Sequence, residues 1–340
     1  MPGDTAHAVV AGLGSWLPSR SVSNDELAGY LDTSDEWIRS RTGIAARRWV
    51  DQGTTTGDLA VEAGRLALRA ASEDTVDAVV LATTTPDRRC PATAPDVAAR
   101  LGMTGTPAFD VSAVCAGFLY GLATASGLIA AGTAQRVLLI GAETYSTILN
   151  PGDRTTRAIF GDAAGAVLLR AGSADEPGAI GPCVLGSDGG NRDLITIPAG
   201  GAEQRSAGTD APPEDFYFQM RGGDVYRHAV TRMIESAEEA LSRTGWAADE
   251  VDRLVPHQAN SRISTAVAER MGIEPNRQVT NIEHVGNTAS ASIPVLLAET
   301  AADGRLKPGH RVLIVGFGGG LAWGATTLTW PDVPALRGEG

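Results

Sequence analysis

From Cys115 to Gly132 the chain carries no Lys, Arg, Asp or Glu, and Ser, Thr, Tyr and Gly are its only polar punctuation. An apolar run of this kind, led in by Phe109-Asp110-Val111-Ser112, predicts a helix buried on nearly all sides. Glycines and small polar residues interrupt it, and it lacks the flanks of a membrane span. Around it lie short β-branched runs bounded by turn residues. His7–Leu13, Val76–Thr84 and Arg136–Gly141 read as strands, and Phe160–Leu169 as a glycine turn entering another. Between them, helices are predicted over 25–31, 57–71 and 96–101, the last with Pro95 just ahead of it. Thr33 and Glu36 have capping-box spacing for a further helix that ends at Gly43. Strands alternating with helices predict an α/β fold with a mostly parallel sheet.

The pattern then repeats. Val76-Asp77-Ala78-Val79-Val80 returns as Val251-Asp252-Arg253-Leu254-Val255, and Arg136–Gly141 returns as Arg311–Gly316. Both pairs are separated by 175 positions, in the same element order, which marks an internal duplication. The chain divides into an N-terminal half, 1–175, and a C-terminal half, 176–340. Cys115 projects onto the segment Gly286–Ser292, which makes Asn287 a candidate partner. His257 follows the repeated strand, at the carboxyl end where ligand sites of parallel sheets gather. Cys115 at the first turn of its helix is expected to be a thiolate, favoured by free backbone N–H groups and the helix dipole.

Composition narrows the function. Lys and Arg total 28 against 40 Asp and Glu, a net charge of −12, which argues against a nucleic-acid partner. Three cysteines, Cys90, Cys115 and Cys183, have no metal-ligand spacing and form no even disulfide set. The N-terminus reads as neither signal peptide nor membrane span, so a cytoplasmic enzyme is expected.

Six motifs then resemble one family: DEWIRSRTGI (35–44), FDVSAVCAGF (109–118), IFGDAAGA (159–166), VPHQAN (255–260), GNTASASIP (286–294) and GFGGGLAWG (316–324). Together they resemble the 3-oxoacyl-(acyl carrier protein) synthase III enzymes of the thiolase superfamily, over roughly residues 8–330. The resemblance implies a thiolase-like five-layered αβαβα fold built from two duplicated halves, and a homodimer. It implies that Cys115 takes an acyl group from an acyl-CoA, with the backbone N–H groups of Cys115 and Gly319 as oxyanion hole. His257 and Asn287 would then stabilise the enolate left when malonyl-acyl carrier protein loses CO2. No metal or organic cofactor is implied, acyl-CoA being a substrate.

By the same resemblance Trp37 and Arg41 flank the adenine of CoA with Thr33 and Arg154 nearby, while Gly222, Tyr226 and Asn260 line the pantetheine tunnel. Arg221, Arg227 and Arg262 would supply a basic patch for an acidic carrier protein. Cys90 stands where many members place a Phe at the end of the acyl pocket, reached from the partner subunit. The smaller residue implies room for a longer or branched acyl group, and with it a priming role in polyketide or related biosynthesis. The alternative on this scaffold is a non-decarboxylating acyltransferase that moves the acyl group from Cys115 to an alcohol or amine.

Overall fold

In the computed structural model, which describes residues 5–340, the apolar runs become strands buried on both faces. The first sheet uses β1 (His7–Leu17), β2 (Ala78–Ala82), β3 (Ala108–Val111), β4 (Arg136–Thr144) and β5 (Asp162–Gly172). The second uses β6 (Val184–Ser187), β7 (Arg253–Pro256), β8 (Arg311–Gly318) and β9 (Ala322–Thr329). β10 (Ala335–Glu339) crosses back and pairs with β1, so the first sheet runs β10-β1-β5-β4-β2-β3. The second runs β7-β8-β9-β6. The sheets are mixed, not mostly parallel. β2 is parallel to β3 and β4, and β7 to β8, but β5 and β9 run antiparallel to their neighbours. The turn between Gly318 and Ala322 is too short for the crossover that parallel pairing needs.

Successive residues of these strands face different layers. Val79, Leu81, Leu138 and Ile140 pack outward against α2 (Thr56–Ala71) and α3 (Ala94–Arg100). Val80, Val137 and Leu139 point inward to a central layer shared with Val255, Val312 and Ile314 of the second sheet. Leu254, Leu313 and Val315 pack against the outer helices α5 (Gly222–Thr244) and α6 (Ser261–Arg270). Between the sheets lie α4 (Gly117–Ala130) and α7 (Ser292–Ala302). The result is the five-layered αβαβα fold. Burial on both faces is why the strands read as unbroken apolar runs.

Helix ends follow local chemistry. Thr55 and Asp58 form the capping box that starts α2. α1 (Asp35–Thr42) is capped by Ser34, whose hydroxyl accepts from the Trp37 N–H, and not by Thr33 as its spacing with Glu36 suggested. Thr33 Oγ1 is instead buried without a partner. Gly43 closes α1 in the left-handed conformation, at φ 77°.

The repeat is most exact around the central helices. The 3₁₀ turn Val114–Ala116 leads into α4, and the turn Ala289–Ala291 leads into α7, 175 positions later. Each turn opens on a non-glycine residue in the left-handed region, Val114 at φ 48° and Ala289 at φ 45°. Such residues cost about 1–2 kcal/mol and persist only where the surroundings hold them.

Candidate active site

Cys115 sits in the 3₁₀ turn just ahead of α4, buried at 7% exposure. Its turn is pressed against the end of β8: a Cβ on Gly318 would lie 2.6 Å from the Cys115 backbone nitrogen and 2.9 Å from its Cβ. Gly319 follows, beside Val114 and Ile195. His257 leaves the end of β7, its N–H donating to the Val315 carbonyl at 2.8 Å. Asn287 is held between Ile159 and Gly161 by backbone hydrogen bonds of 2.9 Å each. Its Oδ1 accepts from the Ala289 N–H at 2.9 Å, and its amide nitrogen makes no hydrogen bond to a described residue.

Cys115, His257, Asn287 and Gly318 line one cavity of about 30 Å³. Phe160, Phe218, Ile195 and Met220 wall it. Tyr145 stacks on Phe160 at 4.7 Å between ring centroids, and Phe218 meets both rings edge-on, at 5.3 and 4.9 Å. Asn287, Met220, Val225, Ala259 and Ile263 also line a second, open cleft of about 510 Å³. That cleft holds Trp37, Arg41, Gly222, Tyr226, Asn260 and Arg262. Arg41 and Arg154 lie over the Trp37 ring, at 4.6 and 5.1 Å from its centroid. Arg154 also donates to the Asp32 carbonyl at 2.6 Å. A path therefore leads from an indole–guanidinium cluster at the surface, along α5 and α6, to the buried cysteine.

The structure brings most, not all, of the expected residues together. Asn260 lines the cleft but also caps α6 through its Oδ1 and donates to the Arg41 carbonyl at 2.9 Å. Arg227 points outward as expected but is paired with Asp224 at 2.5 Å. Arg221 precedes α5, near the cleft residue Gly222. Cys90 is exposed and lines neither cavity. The walls this chain supplies around Cys115 are Phe160, Phe218 and Phe317 with Ile195, Met220 and Met233.

The expected thiolate is overturned. Burial, and then Glu143 once it is ionised, push the Cys115 thiol well above its ordinary range. The helix end contributes less than the loss of water, and the turn is the first, least organised stretch of the dipole. His257 is held neutral, its imidazolium pushed down to about 3 by burial.

Reasoning from sequence passed over several residues. Ser292 lies 2.6 Å from His257 Nδ1. Glu143 is fully buried and accepts from the Thr84 and Thr85 N–H groups and from Thr85 Oγ1. Its carboxyl is raised to about 7, mainly by burial. Tyr145 and Phe218 reach the site from segments that carry no periodic signal. Ser292 stands inside GNTASASIP, but only the fold shows which ring it meets.

The comparisons with known proteins agree with this geometry. The family model for 3-oxoacyl-[acyl-carrier-protein (ACP)] synthase III matches residues 109–189, and the model for its C-terminal region matches 241–330. The chain is 60% identical over 328 residues to beta-ketoacyl-[acyl-carrier-protein] synthase III 5 of Streptomyces coelicolor, covering 96% of this chain and 98% of that relative. Among solved structures, 3-oxoacyl-(acyl carrier protein) synthase III from Pseudomonas aeruginosa PAO1 superposes with a TM-score of 0.90 at 50% identity, covering 96% and 99% of the two chains. The priming beta-ketosynthase of the R1128 polyketide biosynthetic pathway gives 0.90 at 34% identity, covering 98% and 100%. With the two family models, the five-layered fold and the buried Cys-His-Asn cavity in agreement, the chain belongs to the 3-oxoacyl-[acyl-carrier-protein] synthase III family of the thiolase superfamily.

Proposed function

We propose that the chain carries out the decarboxylative Claisen condensation of an acyl-CoA starter with malonyl-acyl carrier protein, initiating fatty acid or polyketide chains. One observation carries the reading: Cys115, His257 and Asn287 line one buried cavity, and Asn287 links it to a cleft walled by Trp37 and Arg41. The cleft takes the CoA and later the carrier's pantetheine arm. Trp37 and Arg41 would hold the adenine, with Arg154 and Thr33 beside them, and Gly222, Tyr226 and Asn260 would flank the arm.

In the first half-reaction Cys115 Sγ bonds to the acyl carbonyl carbon and the carbon–sulfur bond to CoA breaks. The departing CoA sulfur takes the proton that the thiol gives up. The N–H groups of Cys115 and Gly319 would stabilise the oxyanion between these events. In the second, the bond to the malonyl carboxylate breaks, CO2 leaves, and its electron pair forms an enolate. His257 Nε2 and the Asn287 amide are the donors for the enolate oxygen. Neutral donors suit this step, and burial keeps His257 neutral. The enolate carbon attacks the acyl carbonyl, the carbon–sulfur bond to Cys115 breaks, and the released thiolate takes a proton from solvent to restore the thiol.

A homodimer fits the edge of the first sheet, where all four residues of β3 are only half-buried. Such a dimer would give the exposed Cys90 a route to the partner's acyl pocket. Arg221, Arg227 and Arg262, near the cleft mouth, would meet an acidic carrier protein. A cytoplasmic setting suits these substrates; among the described residues no helix is long and apolar enough to cross a membrane.

The test is intact-protein mass with a panel of acyl-CoAs, followed by malonyl-acyl carrier protein, for wild type and Cys115→Ala. The expected result is an adduct on wild type alone, discharged by the malonyl thioester with CO2 and a 3-oxoacyl product. An adduct that resists malonyl thioester and is discharged by an alcohol or amine would mean simple acyl transfer.

A further inference from the structure

We infer that Ser292 is a positioning residue that fixes the tautomer of His257, so that Nε2 carries the proton and faces the cavity as a hydrogen-bond donor. The inference deepens the proposed function and rests on it only for the kinetic consequence.

His257 is 2% exposed, and its two ring nitrogens have opposite surroundings. Nδ1 lies 2.6 Å from Ser292 Oγ. Nε2 is buried and has no partner among the described residues, on a residue that lines the cavity with Cys115 and Asn287. A neutral imidazole has one N–H, and the hydroxyl at Nδ1 decides where it goes.

Ser292 has one proton to give. Thr300 donates to the Leu296 carbonyl, and Ser264 to the Ser261 carbonyl. Ser292 Oγ makes no hydrogen bond to a carbonyl among the described residues; its contact is the imidazole. Its proton therefore goes to Nδ1, which must be bare, and Nε2 holds the hydrogen. Ser292 is also the first residue of α7, an eleven-residue helix. The positive end of that helix disfavours a charged ring and adds to the effect of burial. The opposite arrangement, Nδ1–H donating to Ser292, would aim a lone pair at the cavity and leave the hydroxyl proton without an acceptor.

The test has two arms, on the full-length protein. In the first, ¹⁵N-histidine NMR of wild type is read at the His257 signals, identified by their loss in His257→Gln. Nε2–H is expected; an Nδ1–H ring overturns the inference. In the second, Ser292→Ala leaves both ring nitrogens unbonded. Acylation of Cys115 from acyl-CoA, followed by mass, should keep its rate. Decarboxylation of malonyl thioester should fall about tenfold or more, below the roughly 10²–10³ cost of losing an oxyanion donor outright because the donor is mispositioned and not removed. The Nε2–H signal should give way to a mixture. Unchanged decarboxylation with an unchanged tautomer overturns the role of Ser292. A wild type that never decarboxylates malonyl thioester counts against the proposed function instead, and leaves the tautomer measurement standing.

Discussion

Replacing Glu143 by Gln should make the protein gain stability relative to wild type as pH rises from 4.5 through about 7. The reasoning begins with protons. Ser290 Oγ lies 2.8 Å from both Glu143 Oε1 and the Ala82 carbonyl, two acceptors for one hydroxyl proton. If Ser290 donates to the carbonyl, the contact with Oε1 needs a proton on Glu143. The other oxygen already accepts from Thr85 N at 3.2 Å and Thr85 Oγ1 at 2.8 Å. A neutral carboxylic acid satisfies every one of these contacts, and burial raises Glu143 from the usual 4.5 to about 7. The folded protein therefore holds a proton that the unfolded chain releases near 4.5. Stability from this group is fully present below pH 4.5 and is lost as pH rises through about 7. The loss is about 3 kcal/mol, at about 1.4 kcal/mol per pH unit. Gln keeps the acid's pattern in part: its Oε1 accepts from Thr84 and Thr85 and its Nε2 donates to Ser290, while that nitrogen also faces the Thr84 N–H at 3.1 Å, a cost that is the same at every pH. The assay is urea denaturation of wild type and Glu143→Gln from pH 4.5 to 9. Asp162, raised to about 6 by burial, and His257, lowered to about 3, titrate alike in both proteins and cancel in the difference. The difference should open between pH 4.5 and 7 and shift by about 3 kcal/mol in favour of Gln across that window. A variant less stable by the same amount at every pH would refute the argument, because it would mean that Glu143 is a charged acceptor held by its donors.

Two further outcomes follow from the geometry. Gly318→Ala places a methyl 2.6 Å from the Cys115 nitrogen; it should cost about 1–3 kcal/mol in thermal or chemical unfolding and slow acyl-adduct formation, since the displaced turn carries the Cys115 N–H. Trp37→Ala removes the ring under Arg41 and Arg154; it should raise KM for acyl-CoA several-fold, from a cation–π and stacking contribution of about 0.5–2 kcal/mol, while kcat at saturation stays within about twofold of wild type.

What the sequence disclosed is what local order encodes. Unbroken apolar runs announced strands covered on both faces, and the 175-position offset announced a second half before any contact was known. His257 after β7 and Asn287 opposite Cys115 followed from that offset and the motifs. Strand direction around β5 and β9 escaped, because pairing is set by neighbours distant in sequence. The protonation of Cys115 escaped for a deeper reason. Helix position is local and favours a thiolate, whereas the desolvation that overrides it comes from Phe160, Phe218 and Met220, arriving from two other segments.

The two matching turns differ in what their side chains meet. Positions 115 and 290 occupy equivalent turns, each opened by a left-handed residue and each preceding a central helix. The two turns pack together: a Cβ on Gly117 would lie 3.3 Å from the Ser290 Cβ. A shared backbone thus presents two side chains to different surroundings. Cys115 meets the cavity. Ser290 meets Glu143 and the Ala82 carbonyl, and so ties the second half to the strand end of the first. The strain of each turn is tolerable because the other braces it. The same turn therefore carries a nucleophile in one place, and in the other a hydroxyl that ties the nucleophile's neighbour to Ala82 and Glu143.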